Sequence, residues 1–135
     1  MEDGSVRIIA ISDTGDERGS SFSMPAAWHR FLPELVDLHL TTIQPGHIRG
    51  NHYHARHREI LIVLHRDRWS FYWDTGLGTP ISQQEFEGRG AVMIEIAPLA
   101  SHAVVNSGKR DLFVAGMSDV RYNPRHPDAY PRPVT

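Results

Sequence analysis

The chain of 135 residues carries 14 Lys and Arg against 16 Asp and Glu, 9 His and no Cys, for a formal charge of -2. That length suits one domain with one core rather than two. A charge balance without a basic cluster excludes a general nucleic-acid binder, and the lack of Cys excludes disulfides, thiolate zinc sites and thiol catalysis together.

From the start, Met1-Glu2-Asp3-Gly4-Ser5 is acidic and polar, and no apolar run approaches the roughly 18 residues of a spanning helix. The expectation is a cytoplasmic protein with neither signal peptide nor membrane partner. Short apolar runs at 6–11, 35–43, 60–64, 69–73, 91–96, 103–105 and 112–117 read as strands. Turn formers separate them, among them Pro45-Gly46, Gly88-Arg89-Gly90 and Asn106-Ser107-Gly108-Lys109. Many short strands with frequent turns predict a sandwich or barrel. The one helical stretch, 25–32, is cut off by Pro33.

Within 35–43, Val36, Leu38 and Leu40 alternate with Asp37, His39 and Thr41, which gives that strand a dry side and a wet side. The wet side faces either solvent or a polar cavity. The run 59–64 is apolar on both faces, as in a strand buried in the body of the fold, and it begins with Glu59. The tail contains Pro124, Pro127, Pro131 and Pro133 and is expected to run extended, packed on the barrel or on a neighbouring subunit.

Five of the nine histidines, His47, His52, His54, His57 and His65, fall in one window. Residues two apart in a strand share a face, so His52 and His54 can offer two imidazoles to one metal ion. Glu59 can return a carboxylate to the same point after a tight turn, and His102 can supply a fourth ligand. Three imidazoles and a carboxylate suit a divalent transition metal: zinc first, then manganese, iron, nickel or cobalt.

Gly46, His52-Tyr53-His54 and Glu59, followed by Pro98, His102 and Asn106, resemble the paired motifs of the cupin superfamily. That resemblance implies an all-β fold, a double-stranded β-helix or jelly-roll barrel, as a single domain over 1–135 with the barrel at about 6–117 and an extended tail at 118–135. The run Arg49-Gly50-Asn51-His52-Tyr53-His54 is similar to the C-terminal cupin domain of capsular polysaccharide biosynthesis reductases. Asp16-Glu17-Arg18-Gly19 resembles an opening motif shared with deoxysugar 3,5-epimerases. Residues 123–130 resemble the closing Asn-Pro-Asp-x-Tyr motif.

The resemblance implies metal-assisted epimerisation at C3 of a nucleotide-linked 4-keto-6-deoxyhexose, with His52, His54, Glu59 and His102 as ligands. A metal on the C4 ketone would stabilise the enolate formed when a base takes the neighbouring proton. The identity of that base stays open. In related metal-free epimerases and ketoisomerases the histidine at the His52 position is itself catalytic, and Arg49 and Arg18 are then candidates to hold the diphosphate. Rival readings are a metal-dependent cupin oxygenase, expected if the pocket is apolar and lacks arginine, and a non-catalytic sugar-binding or regulatory module.

The remaining residues have plainer expectations. His57 reads as a solvated neighbour of the ligands, and His65 as a rim or barrel-lining residue. Trp69, Phe71, Tyr72 and Trp73 read as core or dimer interface. Two departures from the cupin pattern are Leu64-His65-Arg66-Asp67 where a glycine turn is usual, and Leu99 where the second motif has Gly. No Gly-x-Gly-x-x-Gly is present, so a dinucleotide-dependent reductase would be a separate partner. Pairing of small cupins through sheet edges suggests a homodimer.

Overall fold

The computed structural model describes residues 5–135, so the acidic start at 1–4 lies outside the described residues. The elements are β1 (Val6–Ile11), α1 (Trp28–Phe31), β2 (Asp37–Ile43), β3 (Ile48–Tyr53), β4 (Glu59–His65), β5 (Trp69–Trp73), β6 (Ser82–Phe86), β7 (Gly90–Ile96), β8 (His102–Asn106), β9 (Leu112–Ser118) and β10 (Tyr130–Pro131). They make two five-stranded sheets, ordered β1-β7-β4-β9-β2 and β10-β3-β8-β5-β6, in which the paired strands are antiparallel.

The inner faces meet in one core. Leu61, Val63, Ile94, Ile96 and Val114 come from the first sheet, and Trp69, Phe71 and Val104 from the second. β4 and β7 are apolar on both faces because both are covered. Their outer residues Ile60 and Met93, with Met117 of β9, pack under Leu32, Trp28, Phe31 and Met24 from the segment around α1. That helix has only four residues, and Pro33, a helix breaker, stands just beyond its last turn. Trp69 and Phe71 are fully buried, the core role expected of the aromatic run.

Two features depart from the sequence reading, and a third shows how the turn without glycine is built. The first concerns β2, which starts at Asp37 rather than residue 35, and whose dry side is the open one: Leu38 and Leu40 are 57% and 65% exposed. β2 is an edge strand, and the cover from 24–32 rests on β4, β7 and β9, so nothing within the described chain shields that face. Asp37, Thr41 and Ile43 turn inward instead and line a cavity. The second is β6, Ser-Gln-Gln-Glu-Phe, an edge strand that pairs with β5 alone and therefore needs almost no apolar residues. The third is the turn after β4, where a carboxylate stands in for glycine. Asp67 accepts hydrogen bonds from the main-chain N–H of Arg68 and Lys109 at 2.8 Å each.

The tail packs on its own barrel. Tyr130 pairs with Tyr53 and Pro131 with His52, so β10 extends the sheet beside β3. Arg132 forks onto Asp74 at 2.8 Å through both Nε and Nη2, donates to the Leu99 carbonyl at 2.6 Å and lies 4.4 Å over the Tyr53 ring. Val134 is buried, and its N–H donates to Asn51 Oδ1 at 2.8 Å.

Candidate metal centre

The end of β3 is shaped by backbone as much as by side chains. Gly50 has φ 115° and Asn51 φ 59°, and the pairing of β3 with β8 slips between Gly50 and His52. A Cβ at Gly50 would sit 2.5 Å from the His102 carbonyl oxygen, so only glycine lets the two strands approach this closely. The bulge re-aims the strand so that His52 faces His102, ring centroids 5.1 Å apart and nearly perpendicular, with His54 5.0 Å from His52.

The nitrogen atoms that His52, His54 and His102 can offer all lie within 4.8 Å of one another. Glu59, the first residue of β4, places Oε1 3.3 Å from His54 Nε2 and 3.2 Å from His102 Nε2. His54, Glu59 and His102 are 8%, 7% and 3% exposed. All four residues read from the sequence as ligands thus come together.

Hydrogen bonds behind the rings fix which nitrogen faces inward. His54 Nδ1 lies 2.6 Å from the Asp128 carbonyl, and His102 Nδ1 lies 3.1 Å from the Ala100 carbonyl. A carbonyl can only accept, so each Nδ1 carries the proton and each Nε2 of a neutral ring turns a lone pair toward Glu59. The buried His54 Nε2 has no hydrogen-bond partner of its own. Two imidazole lone pairs against a carboxylate repel unless a cation, proton or metal, sits among them. The donor set therefore fits a divalent transition metal.

Electrostatics without a metal follow the same geometry. Burial, reinforced by His102 and His54, pushes His52 down to about 4. Burial alone would raise Glu59, but the adjacent His102 and His54 hold it well below the usual carboxylate range. For His54 the penalty of burial is outweighed by Glu59, and its pKa is raised.

The cluster opens on a cavity of about 1250 Å³ lined also by Arg49, Arg56, Arg121, His39 and His126. Arg49 donates to the Thr42 carbonyl at 3.1 Å. Arg18 is not among the cavity residues; it forks onto Asp16 on the surface and its side chain is 85% exposed. His65 is buried between the sheets, its Nδ1 2.8 Å from the Gly88 carbonyl, beside Trp69 and Phe86 rather than the cluster.

His57 differs from its reading as a solvated neighbour. Its side chain is 12% exposed, its ring lies 4.1 Å from that of His54, and Nδ1 is 2.9 Å from Asp128 Oδ2. Asp128 also accepts from the N–H groups of Ala55 and Arg56 at 3.0 and 2.9 Å. The closing motif was visible in the sequence, but a contact across 71 residues leaves no local trace there.

Residues 14–130 match the polysaccharide biosynthesis C-terminal domain family. The chain belongs to that family. No curated protein matches it. Among solved structures it is similar to the capsular polysaccharide assembling protein CapF from Staphylococcus aureus, with 20% identity and a TM-score of 0.67 over 93% of this chain and 33% of CapF. It therefore spans about a third of CapF. It is similar to a mutant of the 3,4-ketoisomerase QdtA from Thermoanaerobacterium thermosaccharolyticum in complex with TDP-4-keto-6-deoxyglucose, with 16% identity and a TM-score of 0.69 over 93% and 86% of the two chains. It is also similar to a dTDP sugar isomerase from Desulfovibrio desulfuricans G20, with 12% identity and a TM-score of 0.75 over 96% and 84%. These are cupin-fold proteins, and the two-sheet barrel of this chain has the same fold. No helix among the described residues is long and apolar enough to cross a membrane.

Proposed function

We propose that this chain is an isomerase or epimerase of a nucleotide-linked 4-keto-6-deoxyhexose in surface polysaccharide assembly, using a divalent metal, zinc foremost, held by His52, His54, Glu59 and His102. The observation that carries this reading is the convergence of His54 Nε2 and His102 Nε2 on Glu59 in the wall of a cavity of about 1250 Å³. Similarity to a 3,4-ketoisomerase in complex with TDP-4-keto-6-deoxyglucose and to a dTDP sugar isomerase supports it. When bound, the metal supplies Lewis-acid polarisation of the C4 ketone.

The chain's own residues then move the proton. A carboxylate can only accept, so His57 donates from Nδ1 to Asp128, which leaves Nε2 as the atom that takes the proton from C3. Burial holds the pKa of His57 below its ordinary value, keeping the ring neutral and able to accept. The C3–H electron pair passes into a C3–C4 enediolate. Reprotonation of C3 on the opposite face gives the epimer, and protonation of C4, with the O3 hydroxyl proton passing to O4, gives the 3-keto isomer. Should the site work without metal, His52, neutral at working pH, is the residue that exchanges the proton.

Arg49 in the cavity wall is the diphosphate ligand in this reading, and the surface pair Arg18–Asp16 is left without a role in it. Arginine and histidine around the cavity favour an anionic substrate over the apolar one an oxygenase would need. A cytoplasmic single-domain homodimer paired through the open face of β2, served by a separate reductase, completes the proposal; Leu38 and Leu40 on that face are the observation behind the dimer. The test is a panel of nucleotide 4-keto-6-deoxyhexoses in deuterated water. Deuterium entering at C3, C4 or C5 supports the reading, and none entering at any of these positions for any of them sinks it.

A further inference from the structure

The tail does more than close the sheet. Asp128 reaches the site with both its main chain and its side chain: the carbonyl takes His54 Nδ1 at 2.6 Å, while the carboxylate takes Ala55 N–H, Arg56 N–H and His57 Nδ1. The Asp128 side chain is only 6% exposed although it belongs to a segment that is otherwise largely exposed. Beyond it the chain is anchored at three places: β10 against β3, Arg132 on Asp74, and Val134 on Asn51. Before it, the Tyr122 N–H meets Asp37 Oδ2 at 3.2 Å, so 122–128 spans from β2 to the loop after β3 across the cavity.

We propose that this C-terminal strap is a metal-linked positioning element, in which Asp128 orients the ligand His54 and metal occupancy in turn holds the strap on the barrel. The inference rests on the metal reading above. Outer groups that hold a metal-bound histidine by its second nitrogen fix the tautomer and ring direction, and their loss commonly weakens metal binding about 10- to 100-fold. Linkage makes the effect reciprocal: if docking of the strap improves metal binding, metal binding must improve docking by the same factor. The metal-free strap therefore opens more often. Arg121 and Arg125, both exposed and on the strap, offer trypsin two cleavage points that report its opening.

The test uses the full chain stripped of metal, with cobalt(II) to read ligand geometry by its visible absorption and zinc(II) to read protection. In the wild type, zinc is expected to slow trypsin cleavage after Arg121 and Arg125 by about 10-fold or more, the reciprocal of the affinity effect. Asp128→Ala keeps the carbonyl on His54 but removes the carboxylate contacts to Ala55, Arg56 and His57 that hold that carbonyl in place, and is expected to weaken cobalt binding by about 10-fold, alter the cobalt band shape and abolish zinc protection. A merely structural role would lower thermal stability without changing the band shape of the cobalt that does bind. Asp128→Asn, which keeps one oxygen acceptor but not the charge, is expected to fall between and carries the comparison if the alanine variant does not fold. An Asp128 variant with wild-type cobalt affinity and spectrum, or zinc that leaves cleavage of the wild type unchanged, overturns the proposal. If the wild type takes up neither metal, the metal reading fails first, and that result is in hand before any variant is compared.

Discussion

His57 Nδ1 stands 2.9 Å from Asp128 Oδ2, and the imidazole lies 4.1 Å from the ring of His54, tilted by 31°, in the wall of the cavity. A carboxylate that accepts from one ring nitrogen makes the other a directed proton acceptor. In the proposed reaction this pair stands beside the four candidate ligands and leaves one imidazole to move a proton.

His57→Gln is expected to lower deuterium entry at C3 by about 10²- to 10⁴-fold while leaving zinc content unchanged. Proton NMR of the substrate in deuterated water, with metal analysis of the same sample, checks both. Exchange at the wild-type rate would remove His57 from the reaction.

Glu59→Gln removes the charge shared by His54 and His102 while nearly preserving shape. Two buried rings then face a neutral amide, and zinc affinity is expected to drop by at least about 100-fold, more than an outer-group change costs. Competition with a chromophoric chelator measures it. A variant that still competes like the wild type would show that Glu59 is not a ligand.

For the metal-free protein, the low value of His52 sets a pH dependence. Its pKa is about 4 when folded and 6.5 ordinarily, so the unfolded chain binds a proton in that window that the folded chain does not. Stability from this residue is therefore complete above about 6.5 and is lost as pH falls toward 4, at about 1.4 kcal/mol per unit at most. His54, raised by Glu59 against the effect of burial, acts in the opposite sense, so the readout is the difference between wild type and His52→Asn. Urea unfolding with chelator present, at several pH values, should show a shallower fall for the variant. Parallel curves would contradict the assignment.

Leu99 holds φ 78° with its side chain 42% exposed, a left-handed backbone without glycine to allow it. Its N–H donates to the His54 carbonyl at 2.7 Å and its carbonyl accepts from Arg132 at 2.6 Å, and these contacts keep the conformation in place. Relief of about 1–2 kcal/mol of backbone strain outweighs the roughly 0.4–1 kcal/mol of extra unfolded-chain freedom that glycine brings. Leu99→Gly is expected to raise the melting temperature by a few degrees without changing zinc affinity. Calorimetry that finds a lower melting temperature would show the leucine side chain to be contributing more than its exposure suggests.

The barrel was legible because its signal is local: alternation and turn formers marked β1, β4, β5, β7 and β9 within a residue or so. The gathering of His52, His54, Glu59 and His102 was legible because their spacing sits inside two compact motifs. β6 was not, since an edge strand with one partner needs few apolar residues. The sense of β2 was not, because alternation reveals that a strand has two unlike faces without saying which of them a neighbouring element will cover. The surface pairing of Arg18 leaves a local signal in the sequence and the burial of His57 does not, for one reason. Arg18 has a partner two residues away that keeps it on the surface, whereas the partner that draws His57 inward lies 71 residues away.

That distance also orders events in time. The residue that steadies His54 is synthesised 74 positions after it, when every strand from β1 to β9 is already available to pair. The barrel strands are thus complete in the sequence before the residue that steadies the candidate ligand His54, so the geometry of the cluster depends on a segment outside the barrel.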